Sequence, residues 1–349
     1  MVQPQTRRRR PYTTGDPALD EKVAQLVTEL GSVRDADLVQ EMIITSLRLV
    51  RGGADRGETK LVNAALKEFA YSFKVFQKWR KFRKVSIFGS ARTTQEEPVY
   101  DYTRRFARAM SEANWMVITG AGPGIMAAGH EGAGAEKSFG ASIRLPLESE
   151  PNLFIQGNTK LINFKYFFTR KVTFIKESDA FALLPGGFGT LDETYELLTL
   201  MQTGKSDLHP IVLLEEPGST FWSDWLNFTK EQLLGRNLIS PDDLNLIYHA
   251  RSIKEAVAEI TGFYRNYQSQ RWLGGELIIR LQRLPPAQKI EELGRAFADI
   301  LGSHGLVAVE ASPKEIEEND ELACKRLSAD FNQTSVGRLR KLIDALNEY

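Results

Sequence analysis

Residues 180–193 read AFALLPGGFGTLDE, and this stretch decides the fold class. Ala180–Leu184 is short and continuously apolar, which predicts a buried strand, and the glycine-rich residues that follow predict a loop. The apolar spacing over Leu191–Thr203 then predicts a helix. An apolar strand that passes through glycines into a helix is typical of a parallel sheet covered by helices on both faces.

The same alternation of strands and helices extends on both sides of this stretch. Further strands are predicted over Val85–Phe88, Met116–Thr119, Ala141–Leu145 and Ile211–Leu214. Helices are predicted over Tyr100–Ala113, from near Gly124, and over Lys160–Glu177, with more helices to about Tyr267. We therefore predict an α/β fold with a Rossmann-like, doubly wound parallel sheet, whose ligand lies at the carboxyl ends of the strands.

Four segments are predicted along the chain. Residues 1–15 are expected to form a disordered tail, 16–82 an N-terminal helical segment, and 83–268 the main α/β domain. Residues 275–349 restart the pattern as strand, helix, strand, strand and helix, which predicts a small C-terminal α/β domain. A unit of this size buries only a modest core, so we expect it to pack on the main domain or on a partner subunit.

Composition excludes several classes of function. Lysine plus arginine and aspartate plus glutamate both number 45, which argues against a nucleic-acid or anionic-membrane partner. The lone Cys324 and the scattered histidines predict no metal site. The basic run Arg7–Arg10 could bind an acidic partner, but four charges in a polar segment favour a solvated tail, and no apolar core follows them as in a secretory signal. Without a stretch of ~20 apolar residues to span a membrane, the protein is expected to be cytoplasmic.

Three glycine loops follow predicted strands. They are Phe88-Gly89-Ser90-Ala91-Arg92, Gly120-Ala121-Gly122-Pro123-Gly124, and Gly186-Gly187-Phe188-Gly189-Thr190. Glycines at strand ends let backbone N–H groups approach an anion, and the following helix adds its positive end, so each loop is a candidate phosphate site. The second loop is not a dinucleotide fingerprint, because Ile125 stands where that motif needs glycine. Gly204-Lys205-Ser206 matches the end of a P-loop motif, but it follows a predicted helix, whereas a P-loop follows a strand. A phosphate site of another kind is indicated.

Two charged residues near these loops have two interpretations each. Thr190-Leu191-Asp192-Glu193 fits a helix capping box, but Glu193 one turn into the helix would also face a ligand. Arg170 lies on a helix crowded with aromatic residues, where a cation needs an anion or access to water. That anion is either an acid of the same fold or an anionic substrate. The residues alone decide neither this question nor whether Glu193 caps the helix or faces a ligand.

Two motifs closely resemble those of the LONELY GUY (LOG) family. They are Tyr166-Phe167-Phe168-Thr169-Arg170-Lys171, and Pro185 to Glu193, which matches the family pattern PGGxGTxxE. The first two glycine loops are also similar to loops of the family, although Ala121 replaces a frequent glycine. The resemblance covers roughly residues 80–265, and the flanking segments look like the extensions of longer bacterial members. These enzymes are phosphoribohydrolases of cytokinin riboside monophosphates and related nucleotides, and have often been mislabelled lysine decarboxylases.

The resemblance implies a function and a set of site residues. It implies cleavage of the N-glycosidic bond of nucleoside 5′-monophosphates with no metal or organic cofactor, in a homodimer or larger homo-oligomer with the site near the subunit interface. Arg170 and Glu193 match the catalytic pair of the family. Substrate contacts are implied for Lys171, Gly186, Gly187, Phe188, Gly189, Thr190 and Asp192, and by the other loops for Ser90 and Gly122.

Two other functions fit the sequence less well. A nucleotide sensor without catalysis could use the same loops, although a pure binder needs no acid beside a phosphate. A decarboxylase would usually need pyridoxal phosphate, and nothing in the sequence marks a lysine for a Schiff base.

Overall fold

A computed structural model describes residues 12–31, 34–144 and 150–349. Within it the chain forms two compact units, Met1–Ala70 and Tyr71–Tyr349. The basic run Arg7–Arg10 and Leu145, the last residue of one predicted strand, lie outside the described residues.

The first unit is helical, as the sequence predicted. It contains α1 (Pro17–Glu29), α2 (Ala36–Arg51) and most of α3 (Arg56–Gln77), and α1 and α2 pack against each other. Asp16 caps α1 by accepting hydrogen bonds from the N–H groups of Ala18 and Leu19, and Pro17 begins the helix with the backbone angle that a helix requires.

The second unit is built on a seven-stranded parallel sheet, which confirms the predicted fold class. Its strands have the order β4-β3-β2-β1-β5-β6-β7. Their bounds are β1 (Lys84–Phe88), β2 (Met116–Thr119), β3 (Ser138–Ile143), β4 (Leu161–Phe164), β5 (Ala180–Leu183), β6 (Ile211–Leu214) and β7 (Ile247–Ala250). The chain adds strands on one side of β1 and then returns to its other side with β5. The strand order therefore reverses between β1 and β5, where doubly wound sheets form a ligand crevice.

Helices cover both faces of this sheet. They are α4 (Pro98–Glu112), α5 (Ile125–Ala133), α6 (Phe167–Glu177), α7 (Phe188–Gln202), α8 (Phe221–Phe228) and α9 (Ile253–Phe263). On one face Val85, Ile87 and Ala182 pack in one hydrophobic cluster with Phe106 of α4 and Ile260 of α9. None of the helices in the described part of the chain is both long and apolar enough to cross a bilayer.

The predicted helix over Lys160–Glu177 was wrong in its first third. Residues Leu161–Phe164 form β4, which pairs with β3, and α6 begins only at Phe167. Burial alternates along β4, with Ile162 and Phe164 buried and Asn163 exposed, which is the period of a strand. The short β7 was also missed, because it lies among residues with a helical apolar pattern.

The C-terminal residues form an antiparallel sheet of four strands. Its order is β10-β11-β9-β8, with β8 (Tyr267–Leu273), β9 (Glu276–Leu281), β10 (Leu301–Val309) and β11 (Lys325–Phe331). The helices α10 (Ala287–Ala296), α11 (Pro313–Glu318) and α12 (Val336–Leu346) accompany it. The predicted helix over Ala287–His304 therefore ends early, and the polar strand β8 was not predicted. The predicted domain bounds at 268 and 275 stay predictions.

One hydrophobic cluster joins the two sheets. It contains Phe181 and Leu213 of the parallel sheet together with Leu277 and Ile279 of the antiparallel sheet and Leu342 of α12. Of the two contacts predicted for the C-terminal segment, with the main domain or with a partner subunit, the structure shows the first.

The antiparallel sheet also holds a buried ion cluster. The Glu315 carboxylate lies 2.7 Å from Nη2 of Arg280 and 3.1 Å from Nε of Arg326. Burial opposes its charge, but hydrogen bonds from Ser312, Arg280 and Arg326 outweigh that effect and lower the pKa of Glu315 to about 2.

Candidate active site

The first and third glycine loops meet at the reversal between β1 and β5. The N–H of Ser90 donates to the carbonyl oxygen of Pro185 at 3.1 Å, and the Ser90 carbonyl accepts from the N–H of Ile125 at 3.0 Å. Glycine is required by this close approach: a Cβ at Gly186 would lie 2.9 Å from the backbone nitrogen of Ser90, and one at Gly124 2.3 Å from the Ser90 carbonyl oxygen. All three loops are therefore drawn together, as their positions after parallel strands predicted.

The second loop has an unusual backbone. Ala121 has a φ of +63°, in the left-handed region that favours glycine over a residue with a side chain. Its N–H donates to Oγ1 of Thr119 at 3.0 Å, and its carbonyl accepts from the N–H of Asn152 at 2.9 Å. The side chain of Asn152 adds a 2.9 Å hydrogen bond to the carbonyl oxygen of Gly122. These contacts hold the strained loop in place.

His130 supports the same loop from behind and was not singled out in the sequence. It is fully buried, and its Nε2 lies 2.9 Å from the Phe139 carbonyl oxygen, which can only accept. Nε2 therefore carries the proton, and Nδ1 accepts from Nδ2 of Asn152 at 3.2 Å. Burial lowers the pKa of His130, so the ring is neutral. No periodicity or motif connects His130 with Asn152, because only the fold brings them together.

The loops surround a cavity of about 960 Å³. Most predicted site residues line it, namely Ser90, Gly122, Arg170, Gly187, Phe188, Gly189, Thr190, Asp192 and Glu193. Lys171 and Gly186 are not among the lining residues, and their role as substrate contacts stays a prediction. Arg92 of the first glycine loop also lines the cavity, and residues that were not predicted as site residues complete the wall, including Met126, Ile143, Glu150 and Phe174.

The amino end of α7 faces this cavity. The helix begins at Phe188 with Gly187 as its N-cap, three residues earlier than predicted. Thr190 is therefore inside the first turn, so the capping-box interpretation of Thr190 and Glu193 is wrong. The first N–H groups of a helix lack acceptors within it, and here they belong to residues of the cavity wall. Together with the positive end of the helix dipole they form an anion-binding surface.

Glu193 lies one turn further along α7, and its side chain is only 7% exposed. Oε1 of Glu193 is 3.2 Å from Nζ of Lys171. Burial raises the pKa of the carboxyl group, and the neighbouring Lys171 opposes this shift in part. Glu193 is thus a buried acid on the wall of a cavity, with an elevated proton affinity.

Arg170 is half-buried, lies near the start of α6 and lines the same cavity. Its guanidinium carbon lies 4.9 Å from the centre of the Phe167 ring and 5.9 Å from that of Phe174. The aromatic rings restrict the orientation of the guanidinium and stabilise its charge. A cation, a buried acid, an anion-binding helix end and apolar walls therefore enclose one space.

Comparisons with known proteins agree with the resemblance seen in the sequence. A family model described as "possible lysine decarboxylase" matches residues 119–260. The chain is 35% identical over 99 residues to cytokinin riboside 5′-monophosphate phosphoribohydrolase LOG1 of Arabidopsis thaliana, covering 28% of this chain and 45% of LOG1. It is 24% identical over 226 residues to the probable enzyme of the same name LOGL2 of Oryza sativa, covering 58% of this chain and 90% of LOGL2. The resemblance to the LOG family is confirmed, although the chain spans less than half of the length of LOG1.

Solved structures of other proteins show a more distant likeness. A molybdenum cofactor carrier protein from Chlamydomonas reinhardtii aligns with 52% of this chain and 96% of its own, at 18% identity and a TM-score of 0.35. A molybdenum cofactor binding protein from Rippkaea orientalis aligns with the same shares of both chains, at 17% identity and a TM-score of 0.36.

Proposed function

Taking this chain as a relative of the LOG family, we propose that it hydrolyses the N-glycosidic bond of nucleoside 5′-monophosphates. The products are the free base and ribose 5-phosphate, and the substrates are AMP-like nucleotides or cytokinin riboside monophosphates. One observation carries the proposal: Arg170 and Glu193 line the same cavity as the amino end of α7.

The helix end is the proposed phosphate site. Backbone N–H groups of residues Gly187–Gly189 would donate to the phosphate oxygens, and the helix dipole would favour their negative charge. The phosphate takes no part in the cleaved bond. Its binding energy positions the ribose against the acid.

Glu193 is the proposed catalytic acid–base group. Breaking the bond between C1′ and the base nitrogen builds positive charge on the sugar, which an ionised carboxylate stabilises. Glu193 also orients the attacking water, whose oxygen bonds to C1′ while one of its protons ends on the departing base. Arg170 would hold the substrate and assist the departure of the base.

A nucleotide sensor without catalysis is the main alternative. A buried carboxylate beside an anion-binding helix end weakens the binding of a phosphate compound, so a pure binder gains nothing from Glu193. The acid favours turnover over sensing.

We also propose that the chain forms a homodimer or larger homo-oligomer. Exposed apolar side chains lie on α6 and α7, namely Phe167, Phe168, Val172 and Phe188, the last of which is 94% exposed. Phe167 and Phe188 also line the cavity. Such side chains are typical of a contact surface. Analytical ultracentrifugation tests this proposal, which a monomer at micromolar concentration would contradict.

A product assay tests the proposed reaction. The purified protein is incubated with AMP, CMP, GMP and a cytokinin riboside monophosphate, and free base and ribose 5-phosphate are measured by chromatography. Adenosine is the control without phosphate and should be cleaved far more slowly than AMP. Absence of base release from every nucleotide would refute hydrolysis, and binding of AMP without release would favour the sensor.

A further inference from the structure

Lys171 lies among three carboxylates of α7. Its Nζ is 2.6 Å from Oε2 of Glu196, 2.9 Å from Oδ2 of Asp192 and 3.2 Å from Oε1 of Glu193. The Lys171 side chain is only 15% exposed, and it is not among the residues that line the cavity. One lysine of α6 thus binds three acids of α7.

The spacing of the acids makes this arrangement possible. Asp192 and Glu196 are four residues apart, and Glu193 and Glu196 three, so all three project from neighbouring positions of one helix. The side chain of Glu193 is the most buried of the three, at 7% exposed against 31% for Glu196 and 64% for Asp192. Glu193 therefore depends most on a nearby cation to stay ionised.

The donors of Lys171 are already occupied. An ammonium group has three N–H donors, and three carboxylate oxygens lie within 3.2 Å of this one. Burial opposes the charge on Lys171, but the hydrogen bonds to Glu196, Asp192 and Glu193 outweigh that effect and raise its pKa. Lys171 would have to give up one of these bonds to reach a substrate phosphate.

We propose that Lys171 is a positioning residue, which holds Glu193 as an oriented carboxylate on the cavity wall and does not itself contact the substrate. This proposal rests on the proposed function, because it assigns a purpose to the acid of that reaction. It also replaces the role of substrate contact that the family resemblance implied for Lys171.

The charges around Glu193 determine what the loss of Lys171 would do. Lys171 and Arg170 face it from α6, Asp192 and Glu196 flank it on α7, and Arg92 and Glu150 line the same cavity. In Lys171→Met, burial and the nearby Glu196 would oppose ionisation of Glu193 with less compensation. The carboxyl group would then take up a proton at a higher pH than in the unaltered protein.

Kinetics over a range of pH test the proposal. We expect Lys171→Met to move the acid limb of kcat for AMP upward by about one pH unit or more, and to lower kcat at pH 7 by about tenfold. KM should change by less than about threefold, because no substrate contact is lost. Lys171→Arg keeps a cation and should restore most of the profile.

Two further variants serve as controls. Lys176→Met removes another lysine of α6. Its Nζ lies 2.7 Å from Oε1 of Glu177, a carboxylate as buried as that of Glu193, and neither residue of this pair lines the cavity. This variant should leave the pH profile unchanged. Glu196→Gln removes a competing carboxylate and should move the acid limb to lower pH, which keeps the proposal testable if Lys171→Met fails to fold.

Two results of these kinetics would contradict the positioning role of Lys171. A tenfold rise in KM with an unmoved acid limb would make Lys171 a substrate contact, and an unchanged profile would leave it with no part in the reaction. The proton affinity of Glu193 is also measured without substrate, by a ¹³C NMR titration of labelled glutamate, with Glu193→Gln for assignment. An upward shift of its pKa in Lys171→Met supports the positioning role even if no nucleotide is cleaved, and an unmoved pKa overturns it.

Discussion

Asn152 donates a hydrogen bond from its side-chain Nδ2 to the carbonyl oxygen of Gly122, at 2.9 Å. The contact ties a residue beyond β3 to the second glycine loop, whose Ala121 has a left-handed backbone. Gly122 lines the cavity, so the geometry of this wall depends on a side chain behind it.

Asn152→Ala should therefore affect both stability and substrate binding. Loss of a part-buried amide that bonds both Gly122 and His130 is expected to cost about 1–3 kcal/mol of unfolding free energy. KM for AMP should rise because the loop is released, while kcat changes less. Asn158→Ala is the matched control: it removes a side-chain amide that donates to the Ala135 carbonyl oxygen and accepts from the N–H of Lys160, and since Asn158 does not line the cavity it should leave KM unchanged. Equal kinetics for the two variants would contradict the role of Asn152.

The two glycines that open the third loop should respond differently to a side chain. A Cβ at Gly186 would lie 2.2 Å from Oγ1 of Thr190, so Gly186→Ala should lower the thermal midpoint by several degrees. A Cβ at Gly187 would meet no described atom within 4 Å, so Gly187→Val should keep the midpoint. Since Gly187 lines the cavity, that variant should nevertheless bind AMP more weakly. Unchanged AMP affinity in calorimetry would count against the phosphate site at this loop.

Removal of either charged group should abolish most of the turnover. Glu193→Gln and Arg170→Ala are each expected to lower kcat/KM for AMP by about 10²-fold or more. Stability should survive the first change, because Glu193 does not cap α7 and its burial, which raises the pKa of the carboxyl group, makes its negative charge a cost to folding. The exposed Glu112→Gln on α4 is the control for a lost carboxylate. Near-full activity of Glu193→Gln would remove that residue from the mechanism.

The ion cluster of the antiparallel sheet should make the free energy of unfolding depend on pH in the acid range. The folded pKa of Glu315, about 2, lies below its ordinary value of 4.5. Its stabilising contribution is therefore fully present above about pH 4.5 and is lost as the pH falls towards 2. Glu315→Gln should be less stable by about 3 kcal/mol at pH 7.

Urea unfolding at several pH values measures this difference. The gap between the unaltered protein and Glu315→Gln should narrow steadily below pH 4.5. Glu318→Gln, which breaks a more exposed pair with Arg271, should cost less than about 1 kcal/mol. A gap that is constant from pH 7 to pH 3 would show that Glu315 acts through packing instead of charge.

The parallel sheet could be predicted from the sequence because its strands are short and apolar and end at glycines. Residues 85–88, 116–119 and 211–214 were predicted as strands with bounds within one residue of those observed. Strands with weaker patterns were lost: β4 has apolar residues that also fit a helix, and the polar β8 has no continuous apolar face. Pairing with a neighbouring strand, which decides both cases, is not a local property of the sequence.

In the candidate site too, features set by local sequence were predicted and features set by long-range contacts were not. The glycine loops were predicted to meet because parallel strands carry their carboxyl ends to one edge, and their residues do share a cavity. The sequence alone could not decide whether Glu193 belongs to a capping box or faces a ligand. The capping box requires a helix that begins at Leu191, and the observed start of α7 at Phe188 excludes it. The contacts of Lys171 with Asp192, Glu193 and Glu196 join residues 21 to 25 positions apart, and no spacing in the sequence reveals them.

The hydrophobic cluster shared by the two sheets also determines when the protein can fold during its synthesis. Phe181 and Leu213 leave the ribosome before Leu277 and Leu342, which complete the same cluster. Until then one face of the nascent parallel sheet has apolar side chains in water, which is the surface that chaperones bind. A chain truncated after α9 would therefore contain every residue of the candidate site but would lack the apolar partners that cover one face of its sheet.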